Sequence, residues 1–562
     1  MKKYSFVILY PLVLSILSPQ NIHALGQDSS WNGNIKPHVA RDLNPDPDIV
    51  EIILVATESY VSFDGETNTT VWTYNGTTPG PTIEGNVGDT LIVHFFNNLS
   101  EETTVHWHGV KLPANMDGSN ISQKAVPPGG YFRYEFNLLE ASTFWYHPHI
   151  RTNEQVEKGL YGALIVHDPN EDKNLGLPEN EHVLLLDDIL LDEKGQVAEP
   201  FPSEPRDNAL TQVNGRIGNM LLVNGRSSAE GTIQRGVPHR LRLINTTNAR
   251  FMRVSIRNHR MWRIGGDGGL LESPIEILPI ELVPDPDPTH GGQMISDPDP
   301  SKGLLLTPGE RADIVFTPNQ GEDRVYLEWH DIARGRHTAY NISGNIILSH
   351  QHHDGLNPAQ ILLTLELFGD QEGEEYIPPQ NLRVIEPLDT TDADQIMVMF
   401  GHTDPDPNGN VTFFAAMKNQ MPLPFPLVTP DDAPIATVGG TYIINVTNMT
   451  GGDHNFHIHG FQFQWIDTEF IDMETPNNNY IVPAPYLEWK DTILIPRRPG
   501  AKGTSRTITR LAVHIDDTGR EGLVEAFGKE PGDDTSGGWV FHCHLLEHAD
   551  RGMMSFLQVF YP

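Results

Sequence analysis

A single cysteine, Cys543, stands in a chain of 562 residues. No intramolecular disulfide can form, so stability must come from packed cores and bound ions. Basic residues are also scarce: 38 Lys and Arg against 74 Asp and Glu give a formal charge of -36. That charge repels nucleic acid and anionic membranes and favours cationic partners. Helix-period apolar patterns are missing as well. With 50 Gly and 44 Pro, the best patterns alternate in polarity with period two, which predicts an all-β, turn-rich chain. Only one apolar run is long, in "MKKYSFVILYPLVLSILSPQNIHALGQ". Two lysines, an apolar stretch broken by Pro11 and a small-residue site near Ala24 read as a signal peptide over residues 1–24. No comparable run follows, so no membrane span is expected in the mature chain. There is no twin-arginine pair, which predicts Sec-type export before folding and a periplasmic or extracellular protein that acquires metal outside the cytoplasm.

The length exceeds what one hydrophobic core serves. Internal similarity divides it: "IEGNVGDTLIVHFFNN" from Ile83, "IQRGVPHRLRLINTTN" from Ile233 and "IATVGGTYIINVTN" from Ile435 share an apolar start, a turn, an alternating strand and a closing Asn. Three such copies predict three related β-sandwich domains, over residues 45–170, 175–350 and 385–562. "SHQHHDGLNPAQ" from Ser349 and "GDQEGEEYIPPQ" from Gly369 read as polar linker, and the Asp-Pro run from Pro284 as extended surface loop.

A second repetition links only the first and last domains: "HWHG" from His106 with "HIHG" from His457, and "HPH" from His147 with "HCH" from His542. Residues two apart on a strand share a face, so each His-x-His presents two imidazoles to one side. His106, His108, His147, His149, His457, His459, His542 and His544 could together surround a small metal cluster of copper, zinc, iron or nickel. In "HCH" the Cys543 side chain then projects to the opposite face, where His454, His548 and Met553 can join it. A thiolate, two imidazoles and a weak thioether form a blue-copper set, whereas structural zinc wants four strong ligands. Covalent adjacency of Cys543 to His542 and His544 gives electrons a short bonded route between the two centres.

Through all four motifs in order, the chain resembles the multicopper oxidases, the laccase and cuprous oxidase family. The resemblance implies three cupredoxin-like Greek-key domains and four copper ions. It assigns His454, Cys543, His548 and Met553 to type 1 copper, and His106 and His457 to type 2. His108, His147, His149, His459, His542 and His544 go to the type 3 pair. It implies one-electron oxidation of a small donor (a phenol, an aromatic amine or a metal ion) at type 1 copper, coupled to four-electron reduction of O2 to water. Asp117, in "ANMDG", occupies the place of an acidic residue that manages protons near type 2 copper, although Asp-Gly is also a common turn. Trp107 is expected to pack in the core and stiffen the ligands beside it.

The chain departs from many bacterial relatives at Ala549, where a glutamate often follows the second type 1 histidine. "HCHLLEHADRGMM" and "GNMLLVNG" are similar to the bacterial laccase and copper-tolerance branch. With 14 Met and no methionine-rich insert, a broad phenol oxidase is favoured over a dedicated cuprous oxidase. A copper-free cupredoxin scaffold is disfavoured by the intact ligand set. A copper nitrite reductase is disfavoured because such chains normally have two domains and lack "HCH". Asn-x-Ser/Thr sequons stand at Asn98, Asn120, Asn245 and Asn448, among other positions.

Overall fold

The computed structural model describes residues 37–562 except 200, 202, 285–293, 298, 300, 319–322, 333–337, 341–345, 350–358, 370–372, 419–420, 430, 473–474, 498–504 and 518–537. The signal peptide over 1–24, the histidines of "HQHHD" and most of the Asp-Pro run lie outside the described residues.

Strands dominate, and among the described residues the larger sheets fall into three consecutive pairs, with three two-stranded ladders beside them. Residues 49–167 form two four-stranded sheets, and residues 181–368 a six-stranded and a five-stranded sheet. Residues 394–560 form a further six- and five-stranded pair. The fold is all-β and cupredoxin-like. Among the described residues the α-helices are short: Thr152–Glu157, Pro169–Leu175, Pro205–Asn214 and Leu546–Asp550.

The three sequence copies build the same junction each time. The short first strand of each copy (Ile83–Asn86, Ala229–Gln234, Ile435–Thr437) pairs in parallel with the closing strand of one sheet. The second strand (Thr90–Asn97, His239–Asn245, Thr441–Asn448) pairs in parallel with the opening strand of the other sheet. Alternation of apolar residues lets both sheets bury one face in a shared core. The closing asparagine fixes the exit. Asn97, Asn245 and Asn448 each accept the amide two residues on and donate Nδ2 to two backbone carbonyls. Backbone groups freed where the strand leaves the sheet are thereby paired. Asn245 and Asn448 are buried in this role, which closes them to glycosylation, whereas Asn98 and Asn120 are exposed.

Near the Asp-Pro run one expectation is corrected: Leu282–Pro284 and Met294–Ser296 form a short antiparallel ladder. Pro284 is its terminal residue, a position where its missing donor costs little.

Candidate metal centres

Strand pairing brings the histidine motifs together in matching fashion. In the first sandwich, His106–His108 runs antiparallel to Ser142–His147 with His106 opposite His147. In the last, His454–Ile458 runs antiparallel to Trp539–Cys543 with His457 opposite His542. Trp107 points away from the histidines into the core, where it meets Tyr134, Phe136 and Tyr146.

The eight His-x-His imidazoles are buried and interlock across the two sandwiches. His106 stacks on His459 at 3.8 Å and His108 on His457 at 3.8 Å. Hydrogen bonds on the outer side of each pair fix the tautomers. His106 Nδ1 donates to the Asp117 carbonyl (2.8 Å) and His459 Nδ1 to Asp117 Oδ2 (2.9 Å). His457 Nδ1 donates to the Asp491 carbonyl (2.9 Å), and His108 Nε2 is shared between Thr492 Oγ1 (3.1 Å) and Asp491 Oδ1 (3.2 Å), the Thr492 hydroxyl itself donating to Asp491 Oδ1 (2.8 Å). His147 and His542 donate Nδ1 to the Pro148 and Cys543 carbonyls.

The nitrogens turned inward have no such partners. His106 Nε2, His108 Nδ1, His147 Nε2, His457 Nε2 and both nitrogens of His544 are buried without a hydrogen bond. His459 and His542 direct their proton-free Nε2 atoms at each other from 3.3 Å, and His149 Nε2 lies 3.5 Å from His542 Nε2. Lone pairs facing at that distance repel unless a cation lies between them, so the cage fits metal. Burial first, and neighbouring imidazoles second, push His108, His147, His149, His459 and His544 well below the usual histidine range. The same causes take His542 down to about 3. These rings are neutral and ready to ligate.

A second centre lies on the other face of "HCH". Cys543 Sγ is 3.5 Å from His454 Nδ1 and 3.6 Å from His548 Nδ1, and those two nitrogens are 3.1 Å apart. His548 Nε2 donates to the Val213 carbonyl (3.1 Å), and His454 Nε2 pairs with Thr450 Oγ1 (2.7 Å). Both Nδ1 atoms therefore turn toward the thiol. Met553 is wholly buried in the same cluster as Cys543, and its carbonyl accepts the Cys543 amide (3.0 Å). Met554 packs elsewhere, with Val540 and Ala549.

Residue groups able to hold a metal arise from these side chains, among them His106, His108 and His147; His149, His459 and His542; and His454, Cys543 and His548. One further group contains a residue absent from the sequence reading, Asp491 with His108 and His457. Asp491 lies 34 residues beyond His457, and only the pairing of His457 with Thr492 brings it under the cage. Sequence reasoning also missed Glu547, although it stands inside the motif. Its side chain is buried, accepts Asn248 Nδ2 (2.9 Å), and is pushed upward chiefly by burial. Asp117 lies under the His106 and His459 rings. Gly118 (φ +82°) follows it, tight against the Val105 carbonyl where a Cβ would clash, so the Asp-Gly turn and the acid under the rings are one feature.

Sequence models described as multicopper oxidase match residues 55–171, 180–284, and 401–512 with 530–560. The chain belongs to the multicopper oxidase family. Multicopper oxidases are oxidoreductases that use O2, and this one is similar along nearly its whole length to curated members. It is 27% identical to a laccase of Bacillus subtilis (strain 168) over 541 residues, covering 86% of this chain and 89% of that protein. It is 25% identical to the multicopper oxidase mco of Staphylococcus epidermidis, covering 95% and 94%. Its fold is similar to that of a Campylobacter jejuni multicopper oxidase, with a TM-score of 0.70 at 24% identity and 94% of both chains covered. As a multicopper oxidase the protein is a copper enzyme, and its histidine clusters are the sites suited to that metal.

Proposed function

We propose that this multicopper oxidase is a laccase-like enzyme with four copper ions. His454, Cys543, His548 and Met553 hold type 1 copper, His106 and His457 hold type 2, and His108, His147, His149, His459, His542 and His544 hold the type 3 pair. One observation carries the reading: Cys543 Sγ converges with the Nδ1 atoms of His454 and His548 at 3.5 and 3.6 Å, while the residues on either side of it belong to the histidine cage. A thiolate with two imidazoles is a copper electron-transfer set.

Copper, when bound, supplies one-electron redox chemistry, and the net reaction passes four electrons and four protons to O2 to give two waters. The chain's own residues supply route and order. The Cys543 backbone joins its sulfur to His542 and His544, and His542 Nδ1 bonds the Cys543 carbonyl (3.0 Å). Asn455 adds a second bridge, with Oδ1 3.7 Å from Cys543 Sγ and accepting the His544 amide at 2.9 Å. Asp117 orients His106 and His459 and is the carboxylate available beside the cage for proton transfer.

Donors are proposed to dock in the cavity of about 600 Å³ between helix Pro205–Asn214 and the middle sandwich, lined by Leu210, Thr211, Asn214, Phe251 and Trp329. Val213, in that helix, receives the His548 Nε2 hydrogen bond, which gives outer-sphere electron entry. A cavity of this size can take a phenol or aromatic amine, and its lining also carries the charged Asp207, Arg250 and Asp331. Export by the N-terminal signal, to the periplasm or outside the cell, completes the proposal. Copper analysis joined to donor-dependent oxygen uptake tests it. Four coppers per chain, intense visible absorption and four donor electrons per O2 are expected; absence of stoichiometric copper would instead make the protein a scaffold.

A further inference from the structure

The middle sandwich supplies none of the proposed ligands, yet one of its turns reaches the histidine cage. The turn joins strand Leu304–Leu306 to strand Arg311–Phe316. It is closed by the Glu310 amide on the Thr307 carbonyl (3.0 Å) and the Thr307 amide on Glu310 Oε2 (2.7 Å). Gly309 (φ +86°) is at its tip. A Cβ there would come within 3.0 Å of His108 Cε1 and 3.1 Å of His544 Cδ2, so glycine lets the turn sit close against two cage rings at a positive φ.

The next-but-one residue, Arg311, is fully buried and bonds to all three sandwiches. Its Nε donates to the Thr143 carbonyl (2.9 Å) and its Nη2 to the Asp267 carbonyl (3.0 Å). Its two terminal nitrogens meet both oxygens of Asp491, at 2.7 and 2.6 Å. Asp491 in turn orients a ligand from each outer sandwich, His108 through Oδ1 together with the Thr492 hydroxyl that bonds that oxygen (2.8 Å), and His457 through its backbone carbonyl.

A guanidinium gripping both carboxylate oxygens fixes the plane of that carboxylate as well as its charge, which an ammonium cannot do. We propose that Arg311 is a positioning residue for type 2 copper and its neighbour in the cage, acting through Asp491 to set the ring angles of His108 and His457. The ligand-free sandwich thereby takes part in metal binding. This inference rests on the copper assignment above.

Arg311→Lys keeps the charge and loses the fork. Arg253→Lys is the control, since Arg253 is buried in the same sandwich but donates to the carbonyls of Asp297, Asp299 and Lys302, away from the cage. The purified, copper-loaded proteins are compared by electron paramagnetic resonance and by copper retention against a chelator. The expected result is an altered type 2 hyperfine splitting and retention of that copper weakened about ten- to a hundredfold, with the type 1 absorption unchanged. Arg253→Lys should alter neither signal. Asp491→Asn should reproduce the type 2 change.

A wild-type type 2 spectrum and copper retention in Arg311→Lys would overturn the proposal. Loss of type 1 and type 2 signals together would overturn it too, because the arginine would then hold the fold and not the site. Wild-type protein with no type 2 signal at all would overturn the copper reading itself, a result distinct from a variant that leaves two wild-type signals unchanged.

Discussion

Asp117 and Asp491 are counterparts across the histidine cage. Each lies beneath a stacked pair made of one ring from the first sandwich and one from the last, His106 with His459 and His108 with His457. Each takes a ring proton on its backbone carbonyl and another on its carboxylate. They differ in what balances their charge. Burial alone would raise both; Asp491 is held far below the usual carboxylate range chiefly by Arg311, whereas Asp117 is lowered chiefly by His106. The first is an anchor, and the second is free of a permanent guanidinium among its described partners.

Asp117→Asn therefore keeps the hydrogen-bonding shape and removes the acid. Stopped-flow oxidation of the reduced enzyme by O2 should slow by about a hundredfold or more, while reduction of type 1 copper by donor changes little. Unchanged reoxidation would remove Asp117 from proton transfer.

A glutamate introduced at position 549 is not expected to compensate. Ala549 packs with Val540 and Met554 in an apolar cluster, so Ala549→Glu buries a carboxyl without a partner. Thermal unfolding should show a loss of roughly 2 kcal/mol or more. A stable Ala549→Glu protein that speeds the reoxidation of Asp117→Asn would show that a proton path passes there after all.

Cys543→Ser should abolish the intense visible absorption and donor oxidation, because a hydroxyl cannot replace the soft thiolate. The cage histidines should still load copper, which metal analysis would count. Donor oxidation at the wild-type rate would refute the route through Cys543.

Redox titration separates the two methionines. Met553→Leu, in the cluster that contains Cys543, should raise the type 1 potential by removing a weak donor. Met554→Leu should leave it nearly unchanged, and the reverse pattern would transfer the role.

Glu157 gives a prediction for pH. It is buried beside Arg216 (3.2 Å) and the Leu190 amide (2.9 Å), and burial pushes it from 4.5 up to about 7 against the pull of Arg216. As pH rises through that window the unfolded chain has released this proton and the folded chain still holds it, so the glutamate's contribution to stability falls. Glu157→Gln should flatten the decline in melting temperature between about 4.5 and 7; an unchanged slope would assign it to other groups.

How much of this the sequence determined follows from the range of its patterns. Period-two alternation and His-x-His spacing act within one strand, and they were enough to identify the all-β fold, the two faces of "HCH" and every histidine of the cage. Asp117 was legible only through the family resemblance, which places an acid after the first motif, 11 residues from His106; its Asp-Gly pattern by itself signals a turn. Contacts made by chain segments far apart left no local signal. Asp491 reaches His108 across 383 residues, and Arg311 reaches Asp491 across 180. Val213 meets His548 across 335. Such pairs depend on how three sandwiches pack together, and the buried charge that Arg311 contributes can be tolerated only where that packing brings a carboxylate to meet it. The histidines and cysteine that the fold gathers were thus written in the sequence, whereas the residues that aim them were decided by the tertiary structure.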